Sequence, residues 1–98
     1  MKSLILTACL LLCMGLAKAV PFTLHNSTLY SIPLIIPGVM NPNLSPMSNS
    51  GVDLQVGQKI FFKAKGRRYL LLEVTEDLRG IELDVGQLLK ERKRELGV

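Results

Sequence analysis

Few residues in this sequence are able to do acid–base or nucleophilic chemistry. His25 is the only histidine, and both cysteines, Cys9 and Cys13, lie in an apolar segment at the N-terminus. No serine stands in a nucleophile-elbow pattern, so a Ser-His-Asp or Cys-His mechanism would have to be built around His25 alone. His25 comes at the end of a predicted strand and next to an Asn-Ser turn. The sequence therefore predicts no catalytic residues and no enzyme activity.

Metal binding through soft His and Met ligands is an alternative to catalysis. Proteins outside the cytoplasm hold copper with His and Met ligands, and His25, Met40 and Met47 are residues of these types. Their spacing matches no recognised ligand motif, and methionines in an apolar loop usually serve packing. The sequence therefore predicts no cofactor and no metal site. The alternative function is periplasmic copper binding through His25 and the methionines.

Five basic residues, with no acid between residues 58 and 72, occupy one predicted β-hairpin, residues 58–75, here named the basic hairpin. They are Lys59, Lys63, Lys65, Arg67 and Arg68. Phe61 shares a face with Lys59 and Lys63. This surface is suited to anionic lipid headgroups, phosphorylated glycans or an acidic protein. The simpler interpretation is a solvated hairpin whose lysines oppose edge-to-edge aggregation.

A proline-rich apolar stretch, Ser31 to Gly51, holds four of the five prolines. Each proline fixes its own φ and favours extended geometry before it, so no helix is expected to cross this region. Pro37-Gly38 and Asn41-Pro42 are predicted to start turns. The apolar side chains either cover the core or form an exposed contact patch. Together with the basic hairpin, they give the candidate interaction surface: Val39, Met40, Leu44, Met47, Lys59, Phe61, Lys63, Arg67 and Arg68.

The N-terminus is typical of a secretory signal peptide. A short basic start precedes the apolar run Leu4 to Leu16, and Ala17-Lys18-Ala19 fits a signal peptidase site. We expect residues 1–19 to be removed and residues 20–98 to form a single domain, secreted or periplasmic, without a transmembrane segment. A lipobox-like match ending at Cys9 is a weaker alternative, because it would leave an apolar tail on the mature chain.

Charge and strand patterning define the predicted domain. Removing Lys2 and Lys18 leaves ten basic residues against eight acidic ones, a formal charge of +2 that does not favour nucleic acid as a partner. Alternating apolar residues predict strands at Val20–Asn26, Leu29–Ile36, Val52–Val56, both arms of the basic hairpin, and Ile81–Leu83. Asp84 and Gln87 form a capping pattern for an amphipathic helix at residues 85–96, and Gly97 is its stop.

These elements predict a mainly β fold: a small antiparallel sandwich or partly open barrel of about five to six short strands, with one C-terminal amphipathic helix. Because the domain is small and has no cysteine after residue 19, it is expected to depend on one small core without disulfides.

Several segments resemble a group of small secreted bacterial proteins of unassigned function. They are the run Ile32 to Pro46, Gly51-Val52, Val56 to Lys59, and Leu88 to Gly97. The resemblance covers most of the chain after residue 19. It implies a location in the bacterial envelope or outside the cell, and it brings no activity, ligand or site residue with it.

The sequence thus predicts an exported, non-catalytic interaction module of the bacterial envelope. Its expected partner is an envelope protein or an anionic glycan or lipid headgroup, and not a nucleic acid.

Overall fold

A computed structural model of the protein describes residues 19–98. The predicted signal peptide, with Cys9 and Cys13, lies outside the described residues except for Ala19. The described range forms seven strands, one 3₁₀ helix and one α-helix. These are β1 Ala19–Asn26, β2 Ile32–Pro33, β3 Asn43–Leu44, β4 Ser48–Gln55, β5 Lys59–Ala64, β6 Arg67–Glu73, the 3₁₀ helix Glu76–Leu78, β7 Glu82–Asp84 and the α-helix α1 Val85–Leu96.

The mainly β fold with one C-terminal helix is confirmed, but the strands number seven. They form three small sheets in the order β4-β1-β7, β2-β3 and β5-β6, and none closes into a barrel within residues 19–98. The sheets are not purely antiparallel, because β7 runs parallel to β1. The 3₁₀ helix brings the chain back beside β1, where the Gly80 N–H donates to the Pro21 carbonyl at 2.8 Å.

Strand β1 is the middle strand of its sheet. Its alternating side chains Val20, Phe22 and Leu24 are buried, as the predicted strand pattern requires. It pairs antiparallel with β4, so that Phe22 lies opposite Val52. The apolar face of this sheet is one wall of the core.

The proline-rich stretch folds as an irregular hairpin, residues 32–44, here named the central hairpin. Ile32 pairs with Leu44 in the β2-β3 ladder, and Ile36 pairs with Met40 near the tip. Gly38 has a φ of +76°. It is the third residue of the turn from Ile36 to Val39, a position where positive φ favours glycine, and the Val39 N–H donates to the Ile36 carbonyl. As predicted, no helix crosses the region. The expected strand Leu29–Ile36 is reduced to β2 and isolated bridges because Pro33 has no N–H to donate.

The central hairpin supplies core as well as surface. Ile32, Leu34, Ile36 and Leu44 are all nearly inaccessible to solvent. Leu44, a member of the predicted interaction surface, is 1% exposed and is therefore a core residue unable to meet a partner. Its position opposite Ile32 turns it inward, which the spacing of the prolines did not reveal.

The basic hairpin comprises β5 and β6, joined by a two-residue turn at Lys65 and Gly66. Both have positive φ, at 53° and 75°, as a type I′ turn requires. A bulge shifts the register, so that Ile60 pairs with Leu72 but Phe61 pairs with Leu70. The residue left over, Leu71, turns into the core and breaks the strict alternation expected for β6.

Helix α1 spans the predicted residues and closes the core. Val85 is fully buried, and Leu88 and Leu89 pack against the same cluster. At the opposite end of the helix, Gly97 has a φ of +72° and its N–H donates to the Arg94 carbonyl. This left-handed residue is the stop that the sequence predicted.

Asp84 caps α1 and gives the protein an acid-sensitive contact. Its carboxylate accepts from the Gln87 backbone N–H at 3.1 Å and from the Ser27 hydroxyl at 3.0 Å. These two hydrogen bonds hold the pKa of Asp84 below its ordinary value, and the one from the Gln87 backbone has the larger effect. The contact is therefore fully present above the ordinary carboxyl pKa of about 3.9 and is lost as pH falls through the lower, folded-state value.

Replacing Asp84 with alanine is expected to lower the free energy of unfolding by about 1 kcal/mol at neutral pH, because the helix loses its N-cap acceptor. Urea unfolding at neutral pH and below pH 4 measures this effect. The difference between wild type and variant should shrink at the acid end, and Asp84→Asn, which keeps an acceptor but does not titrate, should recover most of the neutral-pH stability. A difference that stays constant with pH would contradict the assignment.

Candidate anion-binding groove

Two backbone hydrogen bonds join the central hairpin to the basic hairpin. The Ile35 N–H donates to the Phe61 carbonyl at 2.9 Å, and the Phe61 N–H donates to the Ile35 carbonyl at 2.8 Å. This pairing places two parts of the predicted interaction surface side by side, although they are far apart in sequence.

A cavity of about 440 Å³ lies at this junction and is open to solvent. The central hairpin provides an uncharged wall and the basic hairpin provides two cations. The lining residues are Pro33, Leu34, Ile35, Pro37, Asn41, Lys63 and Arg68. We call this cavity the groove. None of its lining residues is an acid, a histidine or a hydroxyl-bearing residue.

Lys63 and Arg68 lie directly opposite each other in the β5-β6 ladder. Like charges at opposed positions of a ladder repel and destabilise the pair. The ion pairs found within residues 19–98 are His25–Glu82, Glu76–Arg79 and Arg92–Glu95. Neither groove cation therefore has a carboxylate partner in the described part of the chain, and an anion bound between them would relieve their repulsion.

The side chain of Phe61 positions Arg68. The guanidinium carbon lies 5.7 Å from the centre of the Phe61 ring, within the range of a cation–π contact. Within residues 19–98 the Arg68 guanidinium forms no hydrogen bond or ion pair, so its N–H groups remain available to a ligand. Guanidinium groups bind carboxylate and phosphate through paired hydrogen bonds, so the arrangement favours an anionic ligand.

A second cavity, of about 280 Å³, is lined by residues of the central hairpin, β5 and α1. The two cavities share Pro33 and Lys63, and the second adds Tyr30 and Lys93 to the lining. Tyr30 is 77% exposed, an unusual state for an aromatic side chain without a partner.

The structure divides the predicted interaction surface. Lys63 and Arg68 line the groove, and Phe61 lies beneath Arg68. The remaining cations of the surface, Lys59 and Arg67, are exposed elsewhere on the basic hairpin, opposite Glu73 and Ala64. The apolar members that stay exposed are Val39, Met40 and Met47, at 45%, 39% and 63%.

The sequence analysis did not identify Pro33, Pro37 and Asn41 as groove residues, nor Tyr30 and Lys93 as residues of the second cavity. The prolines were assigned only a conformational role, and the polar side chains of the amphipathic helix were assigned no role in binding. The repeated prolines were visible in the sequence, but no local pattern indicated that they lie beside Lys63.

His25 lies in β1 with its ring directed to polar neighbours. Its Nδ1 atom contacts the Asn49 side-chain oxygen and lies 3.6 Å from Glu82 Oε1. Among residues 19–98, no three His, Cys, Asp or Glu side chains converge on a common metal position. The contacts of His25 thus link β1 to the strands on either side of it.

No helix among the described residues is long and apolar enough to span a bilayer. No protein-family model matches this chain, and no curated protein or solved structure shows significant similarity to it.

Proposed function

We propose that this protein is an exported, non-catalytic binding module of the bacterial envelope that holds an anionic group in the groove. The observation that supports this most strongly is the opposed pair Lys63 and Arg68, which has no acidic partner within residues 19–98 and lines a cavity with a largely apolar wall. The signal-like N-terminus and the resemblance to small secreted bacterial proteins support the location.

The groove favours a ligand that joins an anion to a less polar body. The two cations supply charge-assisted hydrogen bonds to a phosphate or carboxylate. Pro33, Pro37 and Ile35 offer an uncharged surface to the part of the ligand next to that group. Phosphorylated envelope glycans and anionic lipid headgroups share this chemistry. The lining provides no general base, which supports binding rather than turnover.

Vesicle binding tests the proposal. We expect purified protein to bind phosphatidylcholine vesicles that contain phosphatidylglycerol and not vesicles of phosphatidylcholine alone. The double variant Lys63→Gln/Arg68→Gln is expected to bind at least about tenfold more weakly, because two charge-assisted hydrogen bonds are lost. Calorimetry with soluble glycerol phosphate distinguishes recognition of the phosphate alone from recognition of a lipid surface.

The matched control is Lys59→Gln/Arg67→Gln, which removes the same charge from the same hairpin outside the groove. We expect this variant to change the affinity less than about threefold, since exposed charges that do not line the groove contribute weakly and are screened by salt. Equal losses in both double variants would show diffuse attraction to the basic hairpin and would reject the groove as the site. Absence of binding to both probes by the wild-type protein would reject an anionic ligand of this class.

A further inference from the structure

The outer edge of β4 carries backbone groups that have no hydrogen-bond partner among residues 19–98. Gln55, at the end of β4, directs its N–H to the Gln58 side-chain oxygen at 2.8 Å and accepts from the Gln58 N–H at 3.1 Å. Both groups thus point away from β1. In an antiparallel ladder this orientation recurs at every second residue, so Asn49, Gly51 and Asp53 also point outward.

Strand β1 confirms this alternation from the other side. Pro21 lies opposite Asp53 and has no N–H to donate to β4. Thr23 lies opposite Gly51 and donates its N–H at 2.9 Å to Ile81, on the opposite side of β1. The ladder between β1 and β4 therefore uses the residues in between and leaves these positions facing outward.

The outward-facing residues of β4 are accessible and weakly protected. Asn49, Gly51 and Asp53 are exposed, and within residues 19–98 their backbone N–H and C=O groups form no hydrogen bond. The strand is eight residues long and contains no proline, no lysine and no bulge, the features that usually prevent edge pairing. The opposite edge of the sheet, β7, is three residues long.

Gly51 at the centre of this edge has no role in the single chain that requires a glycine. Its φ is not positive, and a Cβ atom built on it would meet nothing within 4 Å. Glycine in a strand interior costs stability and often marks a place where another backbone approaches closely.

We propose that β4 pairs antiparallel with β4 of a second copy of this chain, about a two-fold axis at Gly51. In this register Gly51 lies opposite Gly51 of the second copy, and Asn49 lies opposite Asp53. The outward N–H and C=O groups of both copies then form about six backbone hydrogen bonds, and a continuous six-stranded sheet results.

The order of side chains along β4 favours a second copy over an unrelated strand. The single charge among the outward-facing residues, Asp53, meets the Asn49 amide, which can donate to it, and no like charges face each other. On the other face of the sheet, Ser50 meets Val52. The sequence is thus complementary to itself in this register, as an isologous two-fold interface requires.

Sedimentation measures whether the dimer forms, and amide hydrogen exchange measures whether β4 is its interface. Neither measurement depends on ligand binding in the groove. At high protein concentration we expect a dimer, and we expect the Asn49, Gly51 and Asp53 amides to exchange at least about tenfold more slowly than at low concentration. The amides of Val52 and Leu54, which face β1, should be protected at both concentrations.

The variant Gly51→Lys places two lysines opposite each other at the axis and is expected to abolish the dimer. Because the site is open in the single chain, its circular dichroism and melting should match those of wild type. The control Gln55→Lys adds the same charge to the same strand, where Gln58 already occupies the edge, and should leave the dimer intact. Fast exchange of the outward amides at all concentrations, or a dimer that survives Gly51→Lys, would overturn the proposal.

Discussion

Replacing Asn26 with alanine is expected to lower the free energy of unfolding by about 3 to 4 kcal/mol, a large part of the stability of so small a domain. Asn26 is fully buried at the end of β1. Its Nδ2 atom donates to the carbonyls of Tyr30, Leu44 and Ser45 at 2.7, 3.1 and 3.0 Å. Its Oδ1 atom accepts from the backbone N–H and the hydroxyl of Thr28. Alanine would remove all five of these hydrogen bonds at a fully buried position, and the Tyr30 and Ser45 carbonyls would keep only their bonds from the Thr28 and Ser48 hydroxyls.

Urea unfolding followed by circular dichroism measures this loss. The matched control is Asn43→Ala, since Asn43 is exposed on β3 and its change should stay within about 0.5 kcal/mol. Asn26→Asp is nearly isosteric but places a carboxylate against three carbonyl oxygens, so at neutral pH it should be at least as harmful as alanine. Equal stability of the Asn26 and Asn43 variants would contradict the role given to this side chain.

Leu34→Ala is expected to cost about 3 kcal/mol of unfolding free energy because it opens a cavity in the core. Leu34 is 1% exposed, and its backbone N–H donates to the Pro42 carbonyl at 2.7 Å, inside the central hairpin. Thus the inward-facing side chains of the proline-rich stretch belong to the core, while its tip and the residues between the buried ones lie on the surface.

The control for this prediction is Val39→Ala at the tip of the central hairpin, where the side chain is 45% exposed. It should change stability by no more than about 0.5 kcal/mol. Amide exchange offers a second measurement: the Leu34 amide should be protected in the wild-type protein and exchange faster in Leu34→Ala. If both variants proved equally stable, the central hairpin would be a surface loop and the groove would lose its apolar wall.

Local signals were sufficient for several elements. The alternation in Val20–Asn26 predicted β1, because one strand face must be apolar to join a core. Pro37-Gly38 predicted the turn of the central hairpin through the φ values that these residues favour. Asp84 and Gly97 bounded α1 because each satisfies backbone groups at a helix end.

Features that depend on pairing between segments far apart in the chain could not be predicted from the sequence. The parallel position of β7 follows from hydrogen bonds of Gly80 and Ile81 to the other end of the chain. The inward turn of Leu71 follows from a bulge, which alternation alone does not indicate. The basic hairpin was recognised as cationic, yet only the bonds between Ile35 and Phe61 distinguish Lys63 and Arg68 from its other basic residues.

The position of β1 in the middle of its sheet also determines the order in which the protein is able to fold. Its neighbours β4 and β7 come from the middle and the late part of the chain, so the three-stranded sheet is complete only when residue 84 can reach residue 25. Contacts of such long range form slowly and late. A chain that becomes available from its N-terminus onward would thus complete this sheet only after residues up to 84 were present.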